Sequence, residues 1–364
     1  MRATKQRLSH LRRLGGILLL LVLCFACSWQ SRWLTQWRGM QRKDTEVGVI
    51  ASAQVPPALN IVMVGLGGFR GLVAEALWFR VSRLQMDGRY IELVQLANWI
   101  TMLDPKASEG WIFNAWNLAY NISVMMNRPE DRWRWVQNGI ALLRDEALRF
   151  NPRDARLYRE LAWMYQHKIG EVADSAHLYY KVRLMERLSS CVNSNGTVRV
   201  SVENRVALAA MSLDLEQMTA IEKRFGRVDW RMAETHALYW ALQGLACASG
   251  TERAMCEHAV NQALMVSVFR GRYMGSTTAK QWQSGPNLSL AISAADGLID
   301  TWKKSPTPHQ ERLVVRYLAT ALRLAIKEVH PEIEVALYDR LLRMVKPPQK
   351  PPTFDEIMNG WDMK

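Results

Sequence analysis

The chain has 364 residues, 49% of them hydrophobic and 22% charged, a balance that is typical of globular proteins and excludes a largely disordered one. Its formal net charge of +13 is in the range of nucleic-acid-binding proteins, but nine of the basic residues precede Asp44, the first acidic residue. The basic excess therefore flanks an N-terminal apolar segment instead of forming a phosphate-binding face. We expect no nucleic-acid partner.

The N-terminal segment is predicted to anchor the chain in a membrane. A basic tail over residues 1–13 precedes an apolar stretch from Leu14 to Trp29 that carries no charge. The stretch is near the lower length limit of a membrane-spanning helix, and no small-x-small cleavage site follows it. Trp29, Trp33 and Trp37 are typical of a membrane–water interface. We predict one uncleaved transmembrane helix over 14–30, followed by a linker over 31–60 that contains Pro56-Pro57.

The orientation of this anchor follows from its flanking charges. The short basic tail favours a cytoplasmic N-terminus, which in a bacterium means a single-pass inner-membrane protein with a periplasmic body. Lipidation of Cys27 is an alternative, although Cys24-Phe25-Ala26 matches a lipobox poorly. Another alternative is a buried N-terminal helix of a soluble protein.

A glycine-rich stretch after the linker is similar to a dinucleotide-binding fingerprint but departs from it. Gly65 and Gly67 follow a short apolar run, yet Arg70 stands where the third glycine belongs and Gly71 comes one residue late. No alternation of strands and helices follows. We therefore expect no nucleotide or other cofactor, and predict a helix from Leu72 onward.

The main internal pattern resembles tetratricopeptide repeats, pairs of helices of about 34 residues. In that family W-x2-L-G-x2-Y marks the first helix, small residues such as those of A-x3-F mark the second, and a proline ends the unit. The small residues let the helices approach closely, and the aromatic residues fill the gaps beside them. The resemblance implies an all-α, helix-hairpin solenoid whose concave groove is lined by the first helix of each unit.

Three segments carry the resemblance, within predicted N-terminal repeats over 61–188 and central helices over 189–273. They cover about 90–126 with the helix before Pro152, then 153–188 and 233–268. Pro105 and Pro152 are 47 residues apart, and we expect the extra length in a loop from Asn127 to Asp131. The matching positions are Trp111, Ala115, Leu118 and Ala147, then Tyr158, Leu161, Ala162, Tyr165, Ala176 and Tyr180, then Trp240, Gly244 and Ala263. An irregular helical bundle is the alternative.

The remaining sequence is predicted to be helical with irregular breaks. A helix is expected from Glu203 to Phe225, and Asp229 is a candidate cap for the helix that carries Trp240. C-terminal helices are expected over 287–303, 310–329 and 332–345, inside a segment of 274–346. A proline-rich tail over 347–364 either docks on the body or reaches a partner.

Few residues are arranged for chemistry. Cys247 and Cys256 fall on the two helices of one predicted hairpin, where they form either a disulfide or two small packing residues. His236 and His258 lie near them in sequence, but this spacing matches no standard zinc site, so we expect no metal. No catalytic residue is identified, and neither enzymatic activity nor a small-molecule substrate is expected.

These observations favour a membrane-anchored scaffold that binds a protein or peptide partner of the cell envelope in its groove. The step from fold to function is an analogy. One alternative is a helical-repeat subunit, or a non-catalytic domain, of an envelope enzyme or secretion complex. A third is a structural bundle lying flat on the membrane.

Overall fold

The computed structural model describes residues 70–275, 282–345 and 352–359 of the chain. The predicted anchor over 14–30, the linker, the glycine motif up to residue 69 and most of the proline-rich tail lie outside the described residues. Of the helices that are described, none is long and apolar enough to cross a membrane. The described chain is almost entirely helical, which confirms the prediction of an all-α fold.

The chain divides into two compact units, residues 1–107 and 108–364. In the first unit, helices α1 (Arg70–Met86) and α2 (Tyr90–Leu103) form a hairpin. Gly88 makes the tight turn between them with φ at +68°, a conformation that suits glycine. Leu103 of α2 packs there on Val73 and Leu77 of α1.

The second unit begins with two long helical rods. Helix α3 (Ser108–Trp116) continues through a π-helical turn (Asn117–Ile122) into Ser123–Met125. Helix α4 (Pro129–Ala141) likewise continues through a π-helical turn (Leu142–Ala147) into Leu148–Phe150. Pro129 suits the start of α4 because amide groups in the first turn of a helix make no hydrogen bond within the helix, so the missing N–H costs nothing. The expected long loop is wrong: the connection is only residues 126–128, and the extra length lies in the two rods.

The next pair repeats this design with a shorter second helix. Helix α5 (Ala155–Trp163) is capped by the Asp154 side chain, which accepts a hydrogen bond from the Arg156 amide, and it continues as a π-helix over Met164–Gly170. Helix α6 (His177–Ser189) follows.

The sequence expectation of one helix from Glu203 to Phe225 is wrong, because Ser212 adopts φ = +56° and Asp214 caps a new helix. The two helices are α7 (Val202–Ala209) and α8 (Leu215–Phe225).

The next helical hairpin of the second unit has a deeply buried first helix. Helices α9 (Ala233–Cys247) and α10 (Gly250–Arg270) are joined by only two residues, so they run in opposite directions against each other. The first half of α9 is buried on every side, and α5 and α10 pack against it. Because α5 and its own hairpin partner α10 both pack against it, α9 organises the core.

The C-terminal part closes the second unit. A two-stranded antiparallel ribbon, β1 (Arg272–Tyr273) with β2 (Ser284–Gly285), follows α10. Ile357 of the tail is fully buried in the core, so the tail docks on the body up to this residue. The other elements are a 3-10 turn (Leu288–Leu290), α11 (Ala291–Lys304), α12 (Pro308–Lys327), α13 (Pro331–Met344) and α14 (Phe354–Met358).

Candidate functional site

The residues that matched the repeat pattern lie at helix–helix contacts in the second unit. Tyr158 is half-buried, and all the others are buried. A Cβ atom on Gly139 of α4 would lie 2.7 Å from the carbonyl oxygen of Ala115, and one on Gly244 would lie 3.0 Å from Cβ of Tyr158. Small residues therefore stand where helices α3 and α4, and helices α5 and α9, come closest.

A groove with a volume of about 700 Å³ opens between α5 and α10. We call it the α5–α10 groove. Two large apolar side chains on opposite walls remain open to solvent, with Trp163 39% and Met255 45% exposed. Exposed apolar surface of this kind marks interaction sites when it lines a concave surface. The lining residues are Trp116, Arg159, Glu160, Ala162, Trp163, Gln166, Thr251, Ala254, Met255, His258, Ala259 and Gln262.

Ring contacts fix the aromatic wall of this groove. Trp163 stacks on His167 with ring centres 4.8 Å apart, and Trp116 stacks on Tyr120 at 4.4 Å. The Tyr120 hydroxyl lies 3.3 Å from Nδ1 of His167 and so joins the two stacks. Burial raises the pKa of Tyr120, so this hydroxyl stays protonated at neutral pH. The wall is thus preorganised, which lowers the entropy cost of binding.

Charged groups at the edges of the groove are mostly paired with each other. Arg159 forms an ion pair with Glu252 and also contacts the sulfur of Met255. Glu160 accepts a hydrogen bond of 2.9 Å from the indole nitrogen of Trp116. These contacts hold α3, α5 and α10 together beside the groove.

Gln166 is the exception in the groove lining. Its side chain is only 5% exposed, and its Nε2 atom has no hydrogen-bond partner in the part of the chain that the structure describes. A buried amide without a partner costs about 1–3 kcal/mol. The Nε2 atom itself is covered, so an acceptor atom of a ligand reaches it when the side chain turns toward the groove.

The buried charged groups away from the groove are used for structure. Lys168, 1% exposed, forms an ion pair of 2.7 Å with Asp174, whose other carboxylate oxygen accepts from the Ala176 amide. Burial would raise the pKa of Asp174, but the hydrogen bonds from Lys168 and Ala176 lower it below its ordinary value. This pair fastens the end of α5 to the loop before α6.

The residues considered as metal ligands make other contacts in the structure. His236 is buried, and its Nε2 donates a 3.0 Å hydrogen bond to the carbonyl oxygen of Trp230. Burial lowers its pKa to about 4, so it is neutral near pH 7. Within the described residues, no group of three or more His, Cys, Asp or Glu side chains could hold a metal ion.

The disulfide considered for Cys247 and Cys256 is not formed. Cys247 turns its thiol back onto its own helix, 3.3 Å from the carbonyl oxygen of Gly244. Cys256 is fully buried, and its sulfur lies where a Cβ on Gly244 would approach to 3.2 Å. Burial raises the pKa of both thiols, that of Cys256 to about 11, so both stay protonated near pH 7 and act as small packing side chains.

Asp229 does not cap α9, which begins after Met232. Instead its carboxylate forms a 2.7 Å ion pair with Arg231 and accepts a 2.9 Å hydrogen bond from the Tyr273 amide. Asp229 therefore ties the turn before α9 to the ribbon after α10.

The groove-lining residues that sequence reasoning missed include Trp163, Gln166, Met255 and His258. One signal could have found those on α10, since residues 251, 255, 258 and 262 repeat at helical spacing without being consistently apolar. Nothing in the sequence distinguishes Gln166. No protein-family model, curated protein or solved structure matches this chain.

Proposed function

We propose that this chain is a tetratricopeptide-like helix-hairpin scaffold that binds an extended peptide segment of a protein partner. Residues 14–30 anchor it to the bacterial inner membrane, and its body in the periplasm presents the α5–α10 groove. In this proposal the stacked hairpins supply rigidity, and the groove supplies recognition.

The hairpins support the first part of this proposal. Close approaches at Gly139 and Gly244 are the contacts that small residues make possible in stacked hairpins. The first helices of two hairpins contribute to the groove, as expected for a repeat scaffold. They are α5 and α3, and α3 contributes Trp116. The opposite wall comes from α10, the second helix of its hairpin.

One observation carries the choice of a peptide as the ligand. The side chain of buried Gln166 lines the same groove as the exposed Trp163 and Met255, and its covered Nε2 has no hydrogen-bond partner among the described residues. An extended peptide offers main-chain carbonyl oxygens to such a donor and side chains to the apolar walls on either side. A ligand that is only apolar would leave the amide of Gln166 unsatisfied.

A displayed library of random peptides tests this function. We expect the purified chain in detergent to select peptides whose binding, measured by fluorescence anisotropy, weakens at least about tenfold in Trp163→Ala. Leu178→Ala is the matched control, because Leu178 is 51% exposed on α6 and does not line the groove. Equal loss in both variants, or no selected peptide, contradicts the proposal.

The anchor is tested separately in cells. Alkaline carbonate washing of bacterial membranes should leave the full chain in the pellet, and deletion of residues 1–30 should release it to the soluble fraction. A periplasmic body should be digested by protease in spheroplasts without detergent. A body that is protected until the membrane is lysed contradicts the proposed orientation.

A further inference from the structure

A second groove continues the first along the same face of α10. It has a volume of about 440 Å³ and lies between α10 and α12. The α5–α10 groove is lined by residues 251, 255, 258 and 262 of α10, and the second by Met265 and Phe269. These positions are separated alternately by three and four residues, so they share one face of the helix. A ligand following α10 passes from one groove directly into the other.

The wall that α12 contributes to the second groove is basic. Arg312 and Arg316 stand one helical turn apart, both exposed, with His309 three residues before them. Neither arginine has a carboxylate within ion-pair distance among the residues whose positions are described, although many other arginines of the second unit do. We call this the basic groove; its remaining lining residues are Met265, Phe269, Leu313, Tyr317 and Thr320.

We propose that the partner peptide carries acidic side chains about six residues from the position held by Trp163 and Met255, and that Arg312 and Arg316 bind their carboxylates. This inference rests on the proposed peptide-binding function. Met255 and Phe269 are 14 residues apart, which is about 21 Å along a helix. An extended chain covers that distance in roughly six residues. Guanidinium groups in an apolar groove bind carboxylates in paired hydrogen bonds.

The surrounding charges favour a peptide that is acidic at one end. At the α5–α10 groove Arg159 is already paired with Glu252, so this groove offers no free arginine to a polymer with a negative charge at every unit. A nucleic acid or an anionic membrane also gains its affinity from many cations, whereas the basic groove offers two arginines. The apolar walls formed by Met265, Phe269 and Tyr317 suit side chains of a polypeptide.

A double-mutant cycle on the full chain tests the proposal. From the displayed library, peptides of about 12 residues should be enriched in Asp or Glu near the sixth position after a large apolar residue. The double variant Arg312→Gln, Arg316→Gln should bind such a peptide with about tenfold lower affinity, and this loss of affinity should shrink in high salt. The same double variant should not weaken a peptide whose acids are replaced by amides, so the two changes are not additive.

The control variant removes the same charge elsewhere. Arg128→Gln with Arg343→Gln changes two highly exposed arginines outside both grooves, and affinity for the acidic peptide should stay at the wild-type value. Selected peptides that need Trp163 but show no acidic preference overturn this inference while leaving the proposed function in place. The inference is also overturned if vesicles containing phosphatidylglycerol bind through Arg312 and Arg316 and the acidic peptide does not displace them.

Discussion

Gly139 of α4 lies against the main chain of Ala115 in α3 with no room for another carbon atom. A Cβ at this position would be 2.7 Å from the Ala115 carbonyl oxygen and 3.1 Å from the Ala119 methyl group. The oxygen belongs to a helix backbone and cannot turn aside as a side chain can. The spacing of α3 and α4 is therefore set by the absence of a side chain at residue 139.

Gly139→Ala should destabilise the second unit, even though alanine favours a helix over glycine by about 1 kcal/mol. Separating two packed helices costs about 1–3 kcal/mol. We expect a net loss of roughly 1 kcal/mol in the free energy of unfolding by urea, followed by tryptophan fluorescence. Gly71→Ala in α1 is the control, since a Cβ there meets nothing within 4 Å and should stabilise its helix. Stabilisation by both changes would refute the close contact.

The neutral, buried His236 predicts a pH dependence of stability. Its pKa is about 4 in the folded protein, because burial disfavours the charged ring, against about 6.5 in an unfolded chain. Between these values the unfolded state binds the extra proton, so stability is complete above about pH 6.5 and falls as the pH drops toward 4. The loss amounts to about 3 kcal/mol at most.

His236→Phe isolates this contribution. Phenylalanine keeps the stacking on Tyr165 and loses the hydrogen bond to Trp230, so the variant should be less stable at pH 8. Its unfolding free energy should, however, change less than that of the wild type between pH 6.5 and 4.5. Parallel pH profiles of the two proteins would mean that His236 does not titrate differently on unfolding.

The ion pair of Lys168 and Asp174 predicts a large effect of removing one partner. Asp174→Ala leaves the ammonium group of Lys168, at 1% exposure, without its carboxylate. We expect a loss of about 3–5 kcal/mol in the free energy of unfolding. Asp174→Leu combined with Lys168→Met should recover most of this loss because no charge stays buried. If the double variant is as unstable as Asp174→Ala, the unpaired charge of Lys168 is not the cause of the lost stability.

Acid should also weaken this pair. The pKa of Asp174 is lowered in the folded protein, so its contribution is present above the pKa of the unfolded chain, about 4. It is lost as the pH falls through the lower folded value. Below pH 4, the slope of stability against pH should therefore be smaller in the Asp174→Leu, Lys168→Met variant than in the wild type.

The sequence predicted the helices well where their ends carry local signals. Pro308 and Pro331 begin α12 and α13 at their first helical positions, close to the starts expected at residues 310 and 332. The break at Ser212 was missed because it depends on a positive φ in a residue that rarely adopts one. The local sequence preferences around Ser212 do not predict such a backbone conformation.

The groove was harder to predict than the hairpins. The spacing of Ala162 and Tyr165 identified a packed helix face, but residues 251, 255, 258 and 262 of α10 mix polar and apolar types on their shared face. The π-helical turn that starts at Met164 also changes which side chains face outward on α5. Whether Gln166 finds a hydrogen-bond partner depends on tertiary contacts that its neighbours in sequence do not determine.

Replacing Gln166 by leucine tests the central claim of a peptide-binding groove most directly. The change removes an unpartnered buried amide and keeps a side chain of similar size. We expect Gln166→Leu to raise the free energy of unfolding by about 1 kcal/mol. We also expect it to lower the affinity for the selected peptide about tenfold, as measured by titration calorimetry. Gln137→Leu, which removes a glutamine that accepts a hydrogen bond from Arg187, should leave peptide affinity unchanged. A Gln166→Leu protein that is less stable than the wild type and binds the peptide equally well would contradict the account.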